Sequence, residues 1–290
     1  MKLVRYMSLE WGVEAVKSGI FKLLRPLNAN DPYEMMGACT GRLRPEAKAI
    51  LLDDMKYAWI KAGLPLSGKV IDYPVSEVCA RVENNSYFFQ MMLMSRELQQ
   101  KRNAMLCFSD AAQIDATADQ LMWSHYAGGG TGIRIWFESD SFQTRPSPLL
   151  KVQYQEKRPA INLEELETYN DVNAWSKFLL KVLITKSSAW SYEHEYRMII
   201  PAELLESLVI KKDDFEFVQL GQMSIIRVDF GPKGFQKDTR PIIEELKRNP
   251  ATAHIDFRLA TFKGEEYVYD YIEIENLEKL GNNRCRSMMG

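Results

Sequence analysis

Trp190-Ser-Tyr-Glu-His-Glu-Tyr-Arg-Met-Ile-Ile-Pro201 concentrates charge where an apolar strand begins. With the two-residue side-chain period of a strand, Glu193, Glu195 and Arg197 share one face, while Tyr196, Met198 and Ile200 occupy the other. The apolar set then packs inward. Two carboxylates and a guanidinium look into one space, and a cleft suits them because unpaired charges inside a core are costly to desolvate. A salt bridge between Glu195 and Arg197 on a solvated face explains the pattern as well as a catalytic carboxylate does. The rest of the chain must separate the two.

A chain of 290 residues with 46% hydrophobic and 11% aromatic content can bury a substantial core. No run of about eighteen apolar residues is present, so no membrane partner is expected. The opening Met-Lys-Leu-Val-Arg-Tyr passes into polar residues without an apolar signal region, so a cytoplasmic protein is expected. Cys39, Cys79, Cys107 and Cys285 are too widely spaced for a structural zinc site or a disulfide framework. The net charge of -2 neither suggests nor excludes nucleic acid, because a local basic groove can sit within a balanced total.

Patterning predicts a strand over 2–6, a helix over 9–18 stopped by Gly19, and a strand over 20–24. Residues 25–34 are rich in Asn, Asp and Pro and form a loop. Helices follow over 44–62 and 75–102, so 43–103 is read as a helical insertion. Strands are expected over 105–109, 132–137, 150–154, 224–230 and 255–261, with an edge-like strand over 266–274. Helices are expected over 119–127, 172–186 and 239–248. The tail from Gly281 is expected to be loosely ordered. Without repeats or a linker, the chain reads as one α+β domain over 1–290.

A second constellation combines Cys107-Phe-Ser109 with Met122-Trp-Ser-His-Tyr-Ala127, the glycines 128–130 and 132, and the strand to Phe137. Its glycines precede a strand and lack a Gly-Lys-Ser/Thr ending, so they form a turn and no phosphate loop. Trp123 and Tyr126 share a helix face, either as core or as rings on which a base or nicotinamide stacks. His125 is either a general base or a structural hydrogen-bonding residue. No serine-hydrolase or cysteine-nucleophile arrangement is present. His194 points away from Glu193 and Glu195 on a regular strand, which argues against a metal there. A carboxylate-centred site remains, suited to steadying positive charge on a sugar as its leaving group departs.

Three blocks resemble a bacterial family known as domain of unknown function 2971, whose members occur beside phage-defence genes. They are Leu27-Asn-Ala-Asn-Asp-Pro-Tyr-Glu34, the segment from Cys107 through Trp123 and Tyr126 to Phe137, and Lys186 with Trp190 to Arg197. The family pattern Tyr-Ala-X-X-His-X-Gly is broken here by Gly130 in the histidine position. More remotely, the block order resembles the ADP-ribosyltransferase fold. That resemblance implies an α+β domain on a mixed, mostly antiparallel split β-sheet, with the helical insertion after the second strand.

The same resemblance implies NAD as substrate, with no metal. Glu195, Tyr126 and Glu193 would be catalytic, with Arg5, Tyr6, Ser109, Trp123 and Arg197 binding NAD. Glu195 would stabilise the ribose as nicotinamide leaves, Tyr126 or Trp123 would stack on the ring, and Arg5 or Arg197 would hold the pyrophosphate. Asn30 and Asp31 would line the mouth of the site or simply make turns. The implied activity is an intracellular toxin or phage-defence effector that modifies a protein or nucleic acid and answers to an antitoxin or defence partner. A nuclease or nucleic-acid-binding effector using Lys186, Arg197 and Arg134 is the alternative, and a non-catalytic sensor is a third reading.

Overall fold

The computed structural model describes residues 1–31, 33, 35–61, 69–70, 73–74, 103–142, 147–168, 171–201, 204, 207–212, 215–234 and 239–274. In chain order the elements begin with β1 (Lys2–Met7), α1 (Leu9–Ser18), β2 (Ile20–Lys22), β3 (Ala38–Thr40), α2 (Pro45–Lys61), β4 (Lys69–Val70) and β5 (Tyr73–Pro74). Then come β6 (Asn103–Asp110), α3 (Ala116–Tyr126), β7 (Ile133–Glu138), β8 (Leu149–Lys151), β9 (Gln153–Gln155), β10 (Ala160–Asn162), α4 (Val172–Leu183) and β11 (Thr185–Ser187). The last are β12 (Glu195–Pro201), β13 (Val209–Lys212), β14 (Phe215–Gln219), β15 (Ile225–Phe230), α5 (Arg240–Arg248), β16 (Asp256–Phe262) and β17 (Tyr269–Glu273).

The chain divides into two compact units, one of residues 1–24, 103–151 and 189–290 and one of residues 25–102 and 152–188. The first holds an open eight-stranded sheet in the order β17-β16-β15-β7-β1-β6-β12-β8 and a three-stranded sheet β13-β14-β2. The eight-stranded sheet is antiparallel except between β15 and β16, which α5 joins as a crossover. Leu3, Phe108, Ile135, Phe137, Met198, Ile200 and Val228 form a core on one sheet face. Burial of such a side chain stabilises the fold by about 1.5–3 kcal/mol. Met198 and Ile200 therefore pack inward as the alternation in β12 requires. Helix α1 packs closely there, because a Cβ at Gly12 would collide with Ile133. It stops at Gly19, whose φ of 70° is the left-handed cap and whose N–H donates to the Ala15 carbonyl at 2.8 Å.

Helix α3 covers the opposite face, where Val4, Tyr6, Met122, Trp123, Ala127 and Ala260 pack together. Asp115 starts this helix by accepting the Ala118 N–H at 2.8 Å. Glycines 128, 129 and 130 return the chain to β7 with φ of 58°, 65° and 93°, conformations that L side chains rarely adopt. A histidine at Gly130 would thus be strained. Strand β1 pairs with β7 throughout but meets β6 only at Leu3–Asp110 and Val4–Ser109.

In the second unit β10 pairs parallel with β3, and β11 with β9. The segment 172–186, expected as one helix, ends as α4 at Leu183, because residues from Thr185 take up the β9 pairing instead. Its first turn is capped by Asp171 on the Ala174 N–H at 3.0 Å. Asp31 is buried and accepts the Tyr33 N–H at 2.8 Å, a local turn bond. The expected helix over 75–102 and the tail from 281 lie outside the described residues, as does most of the insertion beyond α2. Among the described residues no helix is long and apolar enough to cross a membrane.

Candidate functional site

The start of β12 meets the end of α3 on the helix-covered face. Antiparallel pairing sets Glu195 opposite Ser109 and Arg197 opposite Cys107, which places these four on the face that also carries Val4 and Tyr6. Before the strand, Ser188–Glu193 forms 3-10 turns and His194 takes a φ of 45°, so Glu193 precedes β12 and does not share with Glu195 and Arg197 the strand alternation expected of it. Its carbonyl accepts the Asp110 N–H at 3.0 Å, which ties the kink to the end of β6. Although the backbone does bend here, no group of three metal-capable side chains occurs among the described residues.

Glu195 and Arg197 are 4% and 0% exposed, so neither lines an open cleft as the alternation alone suggested. Arg197 Nε donates to Oε1 of Glu195 at 2.8 Å and Nη2 donates to Oε2 at 3.0 Å. Such a forked pair answers both charges where water cannot. The Cys107 thiol hydrogen-bonds the same carboxylate, and burial first, then the Glu195 charge, pushes its pKa well up.

Arg5 is spent on backbone. Where β1 and β6 part, its Nη1 donates to the Cys107 carbonyl at 3.3 Å and its Nη2 to the Lys22 carbonyl at 3.1 Å. Burial lowers its pKa, opposed by Cys107 and Glu195. Trp123 is 1% exposed, sits edge-on to Tyr6 at 5.2 Å and donates its indole N–H to Tyr271 at 3.1 Å. Of the two rings offered for the nicotinamide, Trp123 is thus core, the other reading its spacing allowed. Ser109 is buried beneath the helix as well.

Tyr126 and Glu193 do come together: the half-exposed phenol donates to the buried Glu193 carboxylate. Beside them the exposed His125 shares a hydrogen bond of 2.9 Å between Nδ1 and the Tyr192 hydroxyl. Its ring centroid lies 6.1 Å from those of both Trp190 and Tyr192. The Tyr126–Glu193 pair therefore borders a cluster of partly exposed rings.

The sequence reading missed a second polar network on the same face. Arg134 donates to Asp229 at 2.8 Å, to Asp119 at 2.8 Å and to the Tyr6 hydroxyl at 3.1 Å. Tyr6 donates to Asp119 at 2.6 Å, Tyr271 donates to the other oxygen of Asp119, and Trp136 donates to Asp229 at 2.6 Å. Burial opposes the charge of Arg134, but Asp229, Tyr6, Tyr271 and Asp119 together raise its pKa well above the usual value. The available signal was Arg134 and Asp229 within otherwise apolar strands, since a charge buried there must find a partner. With Arg134 held by Asp119 and Asp229, and Arg197 by Glu195, two cations of the nucleic-acid reading are already answered. Lys186, the third, is a buried residue of the other unit.

No curated protein and no solved structure matches the chain. Residues 122–198 match the model of a family described as "Protein of unknown function (DUF2971)", and that span opens in α3 and closes in β12, so it carries both halves of the Tyr126–Glu193 dyad.

Proposed function

We propose that this protein transfers ADP-ribose from NAD, with Tyr126 and Glu193 as the proton-handling pair. The contact between those two residues carries the reading, because it puts a titratable hydroxyl at the surface with a carboxylate directly behind it. Trp190 and Tyr192, both half-exposed, supply ring surface for the dinucleotide in place of the buried Trp123. The partial pairing of β1 with β6 supports the split-sheet resemblance.

The bond from ribose C1′ to the nicotinamide nitrogen breaks with its electron pair leaving on nicotinamide. Positive charge builds on the ribose ring, and Glu193, itself only 3% exposed, acts on it at one remove, through the Tyr126 hydroxyl whose hydrogen bond it accepts. The acceptor attacks C1′ and its proton passes to Glu193 by way of the Tyr126 hydroxyl. Both oxygens of Glu195 accept from Arg197, so in this scheme it holds β12 in place and Glu193, behind Tyr126, supplies the working carboxylate. Incubation with labelled NAD and a cell extract tests the proposal. Label transfer with nicotinamide release, lost in Glu193→Gln, supports it; folded wild-type protein that neither consumes NAD nor labels any acceptor overturns it.

A further inference from the structure

Away from that dyad, the same sheet face carries a cleft of about 290 Å³ walled by Asp115, Asp119, Arg134, Trp136, Arg227 and Tyr271. Most of its polar atoms are already paired. Both oxygens of Asp119 accept from tyrosines, and Arg134 is held between Asp119 and Asp229. Arg227 is different. Its Nε donates to Asp229 at 2.6 Å, and its guanidinium lies 4.8 Å from the Trp136 ring centroid and 5.2 Å from that of Tyr271. Its side chain is only 18% exposed, yet among the described residues its two Nη groups donate to nothing. A fork of hydrogen-bond donors, fixed by an aspartate and two rings, is thus presented to the cleft.

Charge selects the ligand. Arg134 and Arg227 face three carboxylates, Asp115, Asp119 and Asp229, so the walls already hold more negative charge than positive and do not favour an added anion. At the rim, one oxygen of Asp115 caps α3, and the other accepts no hydrogen bond among the described residues. An anion is therefore disfavoured, and the ligand needs acceptors for Arg227 and N–H donors for Asp115. A guanine-type oxopurine has both: O6 and N7 accept a bidentate arginine, and its N1 and N2 groups donate. Adenine offers a donor in place of O6 and would meet the guanidinium unfavourably. The volume of about 290 Å³ lies just below the usual ligand-pocket range of roughly 300–1,000 Å³, enough for a base or nucleoside and too little for a dinucleotide.

We propose that this cleft binds an oxopurine base or its nucleoside, independently of the NAD reading. Calorimetric titration of the full chain with guanosine and, in parallel, adenosine tests it. Guanosine is expected to bind and adenosine to fail at the same concentration. Arg227→Met, which keeps the stem against Trp136, should weaken guanosine about tenfold or more. Arg227→Lys should do the same, because it keeps the charge and loses the fork, and it stands in if the methionine variant does not fold. Asp115→Asn keeps a competent helix cap and should also lose affinity. Tyr126→Phe should leave guanosine affinity unchanged whatever it does to NAD turnover, so the two proposals fail separately. Absent guanosine binding at millimolar concentration, equal binding of adenosine, or full affinity in both folded Arg227 variants would overturn the assignment.

Discussion

Arg197 donates through Nε and Nη2 to the two oxygens of Glu195, two residues before it on the same strand and the same face, with both side chains out of reach of water. That geometry answers the charge of Glu195 inside the fold, because each oxygen accepts a hydrogen bond from the guanidinium.

Removing one partner strands a buried charge. Glu195→Gln and Arg197→Met should each lower the free energy of unfolding by about 3–5 kcal/mol. The double replacement Glu195→Met with Arg197→Met should recover much of that loss, since no charge then remains to be desolvated. Urea denaturation of the three variants decides the matter. A single variant as stable as the wild type would show the pair to be solvated.

The dyad should behave in the opposite way. Tyr126→Phe and Glu193→Gln are expected to reduce ADP-ribosyl transfer by about 10²–10⁴-fold, the usual contribution of a positioned proton-transfer group. Their far-ultraviolet circular dichroism should stay native. Wild-type turnover in both variants would remove them from the mechanism.

Tyr6 and Tyr271 have hydroxyl pKa values raised far above the ordinary range, first by burial and then by Asp119, with Arg134 pulling the other way. A raised folded pKa means that the unfolded chain ionises first, at about pH 10. The stability these hydroxyls contribute is therefore whole below that pH and is lost as pH rises above it. Phenolate absorbance should show two tyrosines that titrate only with unfolding. If all tyrosines titrate smoothly on a still-folded chain, the network is open to water.

Asp229 accepts from Arg134, Trp136 and Arg227 while fully buried. Asp229→Asn keeps the shape and deletes the charge that answers two guanidiniums, so it should cost about 3–5 kcal/mol. Intrinsic tryptophan fluorescence should also shift as Trp136 loses its acceptor. A neutral effect on the denaturation midpoint would contradict this assignment.

Burial pushes the Cys39 thiol up to about 11. Its alkylation by iodoacetamide should be slow at pH 8 and accelerate toward pH 11, where thiolate forms. Mass spectrometry of the labelled peptide reads the rate, and fast labelling at pH 8 would place the thiol in an ordinary solvated setting.

Much of the architecture was legible in patterns of period two and 3.6. Helix α1 ends at the glycine that was expected to stop it, and β12 buries Met198 and Ile200 while turning Glu195 and Arg197 to the other side. The edge character read from the mixed residues 266–274 matches β17 at one border of the sheet. Strands β3, β10 and β11 span three residues each, too short for alternation to register. Strands β13 and β14 escaped as well, since Ile210 and Phe215 stay largely exposed and no clean polar face marks the pair.

By itself the order of residues determined which side chains share a face of a strand, Glu195 with Arg197 among them, and where helices begin and stop, because these depend on backbone periodicity and local sterics. Only the tertiary structure decided what those charges do. Whether a carboxylate works or is merely held depends on which distant cation reaches it and how much water remains. Arg134 meets Asp119 and Asp229 across 15 and 95 residues of chain, and Tyr126 meets Glu193 across 67. Pairing over such separations is set by how the strands and α3 pack, which buries Glu195 against its guanidinium and Glu193 behind a partly exposed hydroxyl.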